Sequence, residues 1–142
     1  MKQPCQYLVV DDDNTSNLIC KFTIQRLSKE TPATLFTSPE SALEYIRTEK
    51  PCQGITILFL DVNMPTMSGF EFLTEFEKFC PDIKKHFRVY MLTSSIEDFS
   101  AQAKEYTMVN GFLSKPMKVS YLEKITAEMA NDVECDREKI EN

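Results

Sequence analysis

The chain has 142 residues, of which 42% are hydrophobic and 27% charged, and this length supports one hydrophobic core but not two ordinary domains. Its net charge of −6, without a cluster of lysine and arginine, argues against nucleic acid or an anionic membrane as the main partner. No apolar run has transmembrane length and no signal-like leader opens the chain, so we expect a soluble, cytoplasmic protein.

The cysteines give no sign of a metal site or a disulfide framework. They are odd in number and widely spaced, with no Cys-x-x-Cys, and the chain has a single histidine, His86. We therefore expect free, mostly buried thiols. The five are Cys5, Cys20, Cys52, Cys80 and Cys135.

The first predicted strand is the short apolar run from Tyr7 to Val10, which ends in three consecutive acids at positions 11–13. A helix is predicted from Asn14 to Lys29. Its apolar residues form two stripes, so we expect it to contact both the sheet and another helix. The stripes are Leu18, Ile19 and Phe22, and Cys20, Ile24 and Leu27.

A second strand is predicted over Thr34 to Thr37, and a helix capped by Ser38-Pro39 follows it. Lys50-Pro51 and Gly54 break the chain before the next strand. From Ile55 the sequence is nearly all apolar and rich in β-branched residues, which is typical of a strand buried on both faces of a parallel sheet.

Asp61 stands at the end of this buried strand. Met64-Pro65 then predicts an extended loop, and Ser68-Gly69 precedes a helix that passes through Phe72 to Phe79. Cys80-Pro81 is predicted to end that helix.

The second half of the chain continues the alternation of strands and helices. A strand over Arg88 to Thr93 leads into a helix that starts near Ser95. Asn110-Gly111 predicts a turn before a short strand, Phe112 to Ser114. The last helix is predicted from about Val119 through Met129, and residues 131–142 are expected to be a frayed helix end or a solvated tail.

Five strand-then-helix units predict a single α/β domain of residues 1–142, with its core at about residues 5–130. Short connections of this kind imply a parallel sheet with right-handed crossovers and helices on both faces. The carboxyl ends of the strands then share one edge, where ligands bind in such folds.

Four strands bring polar side chains to this edge. The first strand contributes Asp11 and Asp12, with Asp13 as a further candidate, and the third, fourth and fifth strands contribute Asp61, Thr93 and Lys115. Three carboxylates repel one another unless a cation lies among them, and a site made only of oxygen suits Mg²⁺ better than a soft metal. Lys115 adds a point charge that suits a phosphate group.

Several segments, in this order along the chain, resemble the motifs of response-regulator receiver domains of two-component signalling. They are Val9-Val10-Asp11-Asp12, Leu60-Asp61-Val62-Asn63-Met64-Pro65 with Gly69, Met91-Leu92-Thr93-Ser94 and Ser114-Lys115-Pro116. The resemblance covers roughly residues 5–130. It implies a flavodoxin-like (βα)₅ fold, a doubly wound parallel sheet with strand order 2-1-3-4-5.

The resemblance also implies the chemistry. Asp61 would accept a phosphoryl group from a phosphohistidine of a histidine kinase or a histidine phosphotransfer protein. Mg²⁺ would be held by Asp11, Asp12, Asp61 and the backbone carbonyl of Asn63. Thr93 and Lys115 would bind the phosphoryl oxygens, with Thr93 and Phe112 as switch residues. On this interpretation the chain is a phosphoacceptor that catalyses its own phosphoryl transfer and dephosphorylation, and it is not otherwise an enzyme.

We expect output by protein–protein contact, through the face formed by the fourth helix, fifth strand and fifth helix. The aromatic residues predicted on this face are Phe99, Tyr106, Phe112 and Tyr121. Asp13 is expected to favour the N-terminus of the following helix over a metal. The sequence leaves open the cognate kinase, the target and the lifetime of the phosphorylated state.

Three alternative functions fit the sequence less well. An aspartyl-phosphate phosphatase would need a second Asp two residues after its nucleophile, and this chain has Asn63 there. A flavodoxin-like electron carrier would need a phosphate-binding loop after the first strand, where the acids at positions 11–13 would repel it. A receiver-like module that binds partners without phosphorylation stays open, although the acceptor-site residues are all present.

Overall fold

The computed structural model describes residues 4–48, 54–94 and 109–129. Five strands form one parallel sheet in the order β2-β1-β3-β4-β5. The strands are β1 (Gln6–Val10), β2 (Ala33–Phe36), β3 (Thr56–Asp61), β4 (Phe87–Thr93) and β5 (Val109–Ser114). The helices are α1 (Asn14–Leu27), α2 (Pro39–Thr48), α3 (Gly69–Glu77), a short helix Pro81–Lys84 and a helix over 119–129. The predicted flavodoxin-like fold and its strand order are confirmed.

The core lies on both faces of the sheet. Every residue of the central strand β3 is buried, and its side chains alternate between two hydrophobic clusters. One cluster contains Leu58 and Leu60 and packs against α2 and α3. The other contains Ile57 and Phe59 and packs against α1 and the 119–129 helix. Helices on both faces explain why β3 reads as a continuous apolar run.

Helix α1 buries only one of its two predicted apolar stripes. Cys20 and Ile24 pack against the sheet, but Leu18, Ile19 and Phe22 are 48%, 38% and 58% exposed. As predicted, α1 packs with both the sheet and another helix, because Cys20 and Ile24 share one hydrophobic cluster with Leu122 of the 119–129 helix, but the second stripe takes no part in this packing. One face of α1 is enough to cover its part of the sheet, and the adjoining apolar residues remain on the surface.

Helix α3 begins with a capping box at Ser68. The Ser68 hydroxyl accepts from the backbone N–H of Glu71 at 3.1 Å, and the Glu71 carboxylate accepts from the backbone N–H of Ser68 at 3.1 Å. The helix ends at Glu77, before the predicted stop at Cys80-Pro81. Pro81 instead opens the short helix, because proline is well suited to a first helical turn.

Strand β5 starts at Val109, three residues earlier than predicted. The pairing of β4 with β5 shifts register between Val89 and Tyr90, and the Asn110 side chain accepts from the Val89 backbone N–H at 3.0 Å. Asn110-Gly111 therefore lies within a strand. The usual turn signal fails here because the Asn110 amide satisfies a main-chain donor at an irregular point of the ladder.

One cysteine departs from the expectation of free thiols. Cys5 is disulfide-bonded, with a partner that is not among the described residues, whereas Cys20 and Cys80 are free. The expectation is wrong for Cys5 because wide spacing along the chain does not exclude a pair that folding brings together. Burial, with a smaller contribution from the Asp11 charge, raises the pKa of Cys20 to about 12.

Two predicted segments lie outside the described residues. They are the helix that starts near Ser95, with Phe99 and Tyr106, and the segment 131–142. Within the part of the chain that the structure describes, no helix is both long and apolar enough to cross a membrane.

Gly69 closes the loop between β3 and α3 against the sheet. Its backbone N–H donates to the Val62 carbonyl at 2.8 Å. A Cβ atom at this position would lie 2.6 Å from the Asp61 carbonyl oxygen and 2.6 Å from the terminal methyl of Met91. The first of these atoms belongs to the central strand, so it has little freedom to move.

We expect Gly69→Ala to lower the free energy of unfolding by about 1–3 kcal/mol, because the added methyl forces β3, the loop or Met91 to shift. Urea denaturation measures the change. The control is Gly111→Ala, whose Cβ would lie 3.3 Å from the Tyr90 ring, a longer contact that a smaller shift of a side chain relieves. An unchanged unfolding midpoint for Gly69→Ala, or a larger loss for Gly111→Ala, would contradict the prediction.

Candidate functional site

The polar residues predicted at the strand ends lie together at the carboxyl edge of the sheet. Asp11 directly follows β1, Asp61 and Thr93 are the last residues of β3 and β4, and Lys115 directly follows β5. Since β1, β3, β4 and β5 are consecutive neighbours in the sheet, one edge receives side chains from positions far apart in sequence.

Three carboxylates form the acidic part of the site. One oxygen from each of Asp11, Asp12 and Asp61 lies within 4.8 Å of the others. Asp11 and Asp61 are buried, whereas Asp12 is exposed. All the donors are carboxylate oxygens, which are the ligands that hard divalent cations such as Mg²⁺ prefer, so the residues fit a magnesium ion.

The main chain fixes Asp11 and Asp61 from several directions. The Asp11 backbone N–H donates to the Phe36 carbonyl at 3.0 Å, and the Asp13 backbone N–H donates to Asp11 Oδ1 at 2.9 Å. After Asp61, the Val62 backbone N–H donates to the Leu92 carbonyl at 3.1 Å. Both carboxylates therefore stand on rigid strand ends.

Lys115 neutralises part of the buried negative charge. Its Nζ lies 3.2 Å from Asp61 Oδ1 and 2.8 Å from Asp11 Oδ2. The contact with Asp11 Oδ2 has the distance of a close ion pair but not hydrogen-bond geometry, so charge attraction is its main contribution. The Lys115 side chain is 24% exposed, which leaves the ammonium open to the surface of the site.

Burial and the neighbouring charges shift the pKa values of both Asp61 and Lys115. Burial, followed by the Asp11 charge, raises the pKa of Asp61 from 3.8 to about 6, although Lys115 opposes the shift. Burial lowers the pKa of Lys115, but its contacts with the Asp11 and Asp61 carboxylates raise it by more, so the net shift is upward. Near neutral pH the site therefore holds an ionised Asp61 beside a charged lysine.

The remaining predicted residues surround this cluster. Asn63 is exposed, and its backbone N–H donates to the Asp61 carboxylate. Thr93 is buried, pairs with Ser114 in the ladder, and accepts at its carbonyl from the Lys115 backbone N–H at 2.9 Å. Phe112 is half-buried opposite Met91, packed against the cluster beneath α2 and α3. Asp13 caps α1, as expected, by accepting from the Thr15 backbone N–H at 3.1 Å.

Sequence reasoning missed Asn17. It is buried on the sheet-facing side of α1, and its side-chain amide donates to the Asp11 carbonyl at 2.9 Å. The one available signal is its spacing from Cys20 and Ile24, which puts a polar residue in the buried stripe.

Comparison with protein families gives one match. The model of the response regulator receiver domain matches residues 7–127, which is most of the chain. The chain belongs to this family. The family resemblance found in the sequence is thereby confirmed. Comparison with curated proteins gives no significant match.

Solved structures of receiver domains share the fold. A two-component response regulator from Cytophaga hutchinsonii has a TM-score of 0.77 at 24% identity, covering 92% of this chain and 99% of its own. A response regulator receiver protein from Dyadobacter fermentans has a TM-score of 0.77 at 21% identity, covering 84% and 93%. The chemotaxis protein CheY4 of Vibrio cholerae has a TM-score of 0.68 at 23% identity, covering 89% and 98%.

The raised pKa of Asp61 predicts how the stability of this receiver domain depends on pH. An acid whose pKa is higher in the folded state than in the unfolded state favours folding when protonated, so its contribution falls as the pH rises between the two values. Asp61→Asn removes this titration. The variant should therefore gain stability relative to the wild type by up to about 3 kcal/mol between about pH 4 and about pH 6.5, with no further gain above.

Urea denaturation in buffer containing EDTA tests this dependence. The control is Asp82→Asn, because the Asp82 side chain is 84% exposed and its surface ion pair with Lys85 contributes little to stability. A difference between Asp61→Asn and wild type that stays constant over the same range would contradict the prediction.

Proposed function

We propose that this receiver domain is a phosphorylation-dependent signalling module in which Asp61 accepts a phosphoryl group from a phosphohistidine donor. The observation that carries the proposal is the combination of three carboxylates within 4.8 Å of one another and a lysine that contacts two of them. Such a site gathers one group that can attack phosphorus and the positive charge that the product needs.

Magnesium fits the carboxylate set, and we assign it to Asp11, Asp12 and Asp61, with the Asn63 backbone carbonyl as a further ligand. When bound, Mg²⁺ supplies positive charge to an incoming group that carries roughly two negative charges. Asp12 is the one exposed member of the set, so it is the first carboxylate that a cation from solvent meets.

The chain's own residues perform the transfer. An ionised oxygen of Asp61 attacks phosphorus, the bond from phosphorus to the donor's imidazole nitrogen breaks, and that nitrogen keeps the electron pair. The product is an acyl phosphate on Asp61, and later attack by water releases inorganic phosphate. Because the pKa of Asp61 is about 6, most molecules hold the attacking carboxylate ionised at neutral pH. The domain is thus a phosphoacceptor that promotes its own modification and reset.

Lys115 and Thr93 are the residues that we propose to bind the phosphoryl group once it is attached to Asp61. Lys115 Nζ already contacts Asp61 Oδ1 at 3.2 Å, so its ammonium remains beside any group attached to that carboxylate. The hydrogen bond from the Lys115 backbone N–H to the Thr93 carbonyl joins the end of β4 to the residue that follows β5. A shift of either residue is therefore transmitted to β5.

The output surface that we propose lies on β5 and the 119–129 helix. Ser114, directly before Lys115, contacts the Tyr121 hydroxyl through its own hydroxyl at 2.9 Å and its carbonyl at 3.1 Å. Phe112 lies two residues earlier on β5 and is half-buried. We propose that a downstream protein reads this face, and that the donor is a histidine kinase or a histidine phosphotransfer protein.

Phosphorylation should require both Asp61 and a divalent cation. Incubation with acetyl phosphate and Mg²⁺ is expected to add the mass of one phosphoryl group, which hydroxylamine removes because an acyl phosphate is labile to it. Asp61→Asn and treatment with EDTA should each abolish the addition. Asp13→Asn is the matched control, because asparagine caps a helix as well as aspartate does and Asp13 lies outside the carboxylate cluster.

Intact-protein mass spectrometry measures the outcome. Labelling of Asp61→Asn equal to wild type would refute the assignment of the acceptor. If the wild type took up no phosphoryl group from any donor, the domain would instead be a binding module that works without phosphorylation.

Thr93→Ala should separate modification from response. With Mg²⁺ and beryllofluoride, which mimics the phosphoryl group on Asp61, wild-type amide signals of residues 109–125 are expected to shift. Thr93→Ala should keep the shifts next to Asp61 and lose most of those in 109–125, since the hydroxyl that would follow the ligand is gone. Thr74→Ala in α3, whose hydroxyl donates to the Phe70 carbonyl of its own helix, is the control. Shifts in 109–125 that persist in Thr93→Ala would contradict this role.

A further inference from the structure

Asn17 is a polar residue on the buried side of α1. It is 3% exposed and shares its helix face with Cys20 and Ile24, which pack against the sheet. An amide in such a place loses its hydrogen bonds to water, so its position is favourable only if protein groups replace them. The hydrogen-bond partners of Asn17 therefore indicate its structural role.

The Asn17 side chain bonds the strand ends and not its own helix. Nδ2 donates to the Asp11 carbonyl at 2.9 Å and approaches the Phe36 carbonyl at 3.4 Å. The Phe36 carbonyl also accepts from the Asp11 backbone N–H at 3.0 Å. One amide group thus ties α1 to the carboxyl ends of β1 and β2, at the residue that carries a site carboxylate.

The bond to the Asp11 carbonyl constrains two acids together. This carbonyl belongs to the peptide plane that joins Asp11 to Asp12, and a planar peptide turns as one unit. Holding it fixes ψ of Asp11 and φ of Asp12, and with them the directions in which both carboxylates leave the main chain. The Phe36 carbonyl holds the other side of Asp11, so the backbone is restrained from both sides.

A comparison within α1 shows that this arrangement is specific. Thr23 is the other polar residue buried in this helix, and its hydroxyl donates to the Ile19 carbonyl of the same helix at 2.6 Å. The hydrogen bond of Thr23 is therefore internal to α1. Asn17 instead leaves its Oδ1 buried without a hydrogen bond from the residues that the structure describes, while its Nδ2 donates to the Asp11 carbonyl.

We propose that Asn17 is a positioning residue for the cation site, acting through the Asp11–Asp12 peptide. This rests on the proposed magnesium site of the preceding section. Groups that orient metal ligands without touching the metal typically change its affinity by about 10–100-fold when they are removed. A residue that only stabilised the fold would lower the free energy of unfolding and leave the affinity of the folded protein unchanged.

Isothermal titration calorimetry with Mg²⁺ on the full chain distinguishes the two roles. Asn17→Leu keeps the approximate volume of the side chain and removes its donor. We expect its Kd for Mg²⁺ to rise about tenfold, whereas Thr23→Val, the matched control on the same helix, should keep a Kd within about twofold of wild type. Circular dichroism and urea denaturation establish that each variant is folded during the titration.

Three outcomes are decisive. A tenfold weaker Kd in folded Asn17→Leu with an unchanged Kd in Thr23→Val supports the proposal. Wild-type affinity in folded Asn17→Leu overturns it and leaves the magnesium site intact. A wild-type protein that binds no Mg²⁺ overturns both this inference and the cation site on which it rests.

A second measurement avoids the risk that Asn17→Leu does not fold. In ¹⁵N-labelled wild-type protein, Mg²⁺ should shift the side-chain amide signals of Asn17 and leave those of Asn110 unchanged. Asn110 is a fair reference because its side chain also bonds the main chain, at the Val89 N–H on the other side of the sheet's centre. Asn17 amide signals that stay in place at saturating Mg²⁺ would overturn the proposal.

Discussion

The site depends on the attraction between Lys115 and two buried carboxylates. Asp11 and Asp61 repel each other across a few ångströms in a poorly solvated place, and that repulsion, added to burial, is why the pKa of Asp61 is high. The positive charge of Lys115 offsets part of the repulsion between Asp11 and Asp61, but it does not neutralise all three acids. The cluster therefore has an uncompensated negative charge, which favours the binding of a cation.

The rest of the fold keeps this unfavourable cluster in place. The acids stand on β1 and β3, whose residues are buried in two hydrophobic clusters, so the strands cannot relax apart to relieve the repulsion. Asp13 takes no part in the cluster because its carboxylate is occupied at the N-terminus of α1. The hydrophobic burial of the two strands thus keeps the repelling carboxylates close together, which the local sequence alone would not do.

The sequence was most informative where a pattern of residues suits only one kind of structure. A run such as 55–60 suits a strand covered on both faces, and an acid after it must fall at the sheet edge, so Asp61 and its neighbours were predictable. Other features depend on partners that are distant in sequence. Asn17 is explained only by the Asp11 carbonyl, Asn110 only by an irregular ladder, and the exposure of Phe22 only by how much of α1 the sheet can cover.

The hydrogen bond from the Gly69 backbone N–H to the Val62 carbonyl joins the two ends of the loop between these residues. The two ends of the loop are fixed to each other and to the sheet, so the path of the main chain into α3 does not depend on the tip. Residues at the tip, such as Pro65 and Thr66, are exposed. Substitutions at the tip can therefore change the surface of the domain beside the site while the Asp61 carboxylate keeps its position.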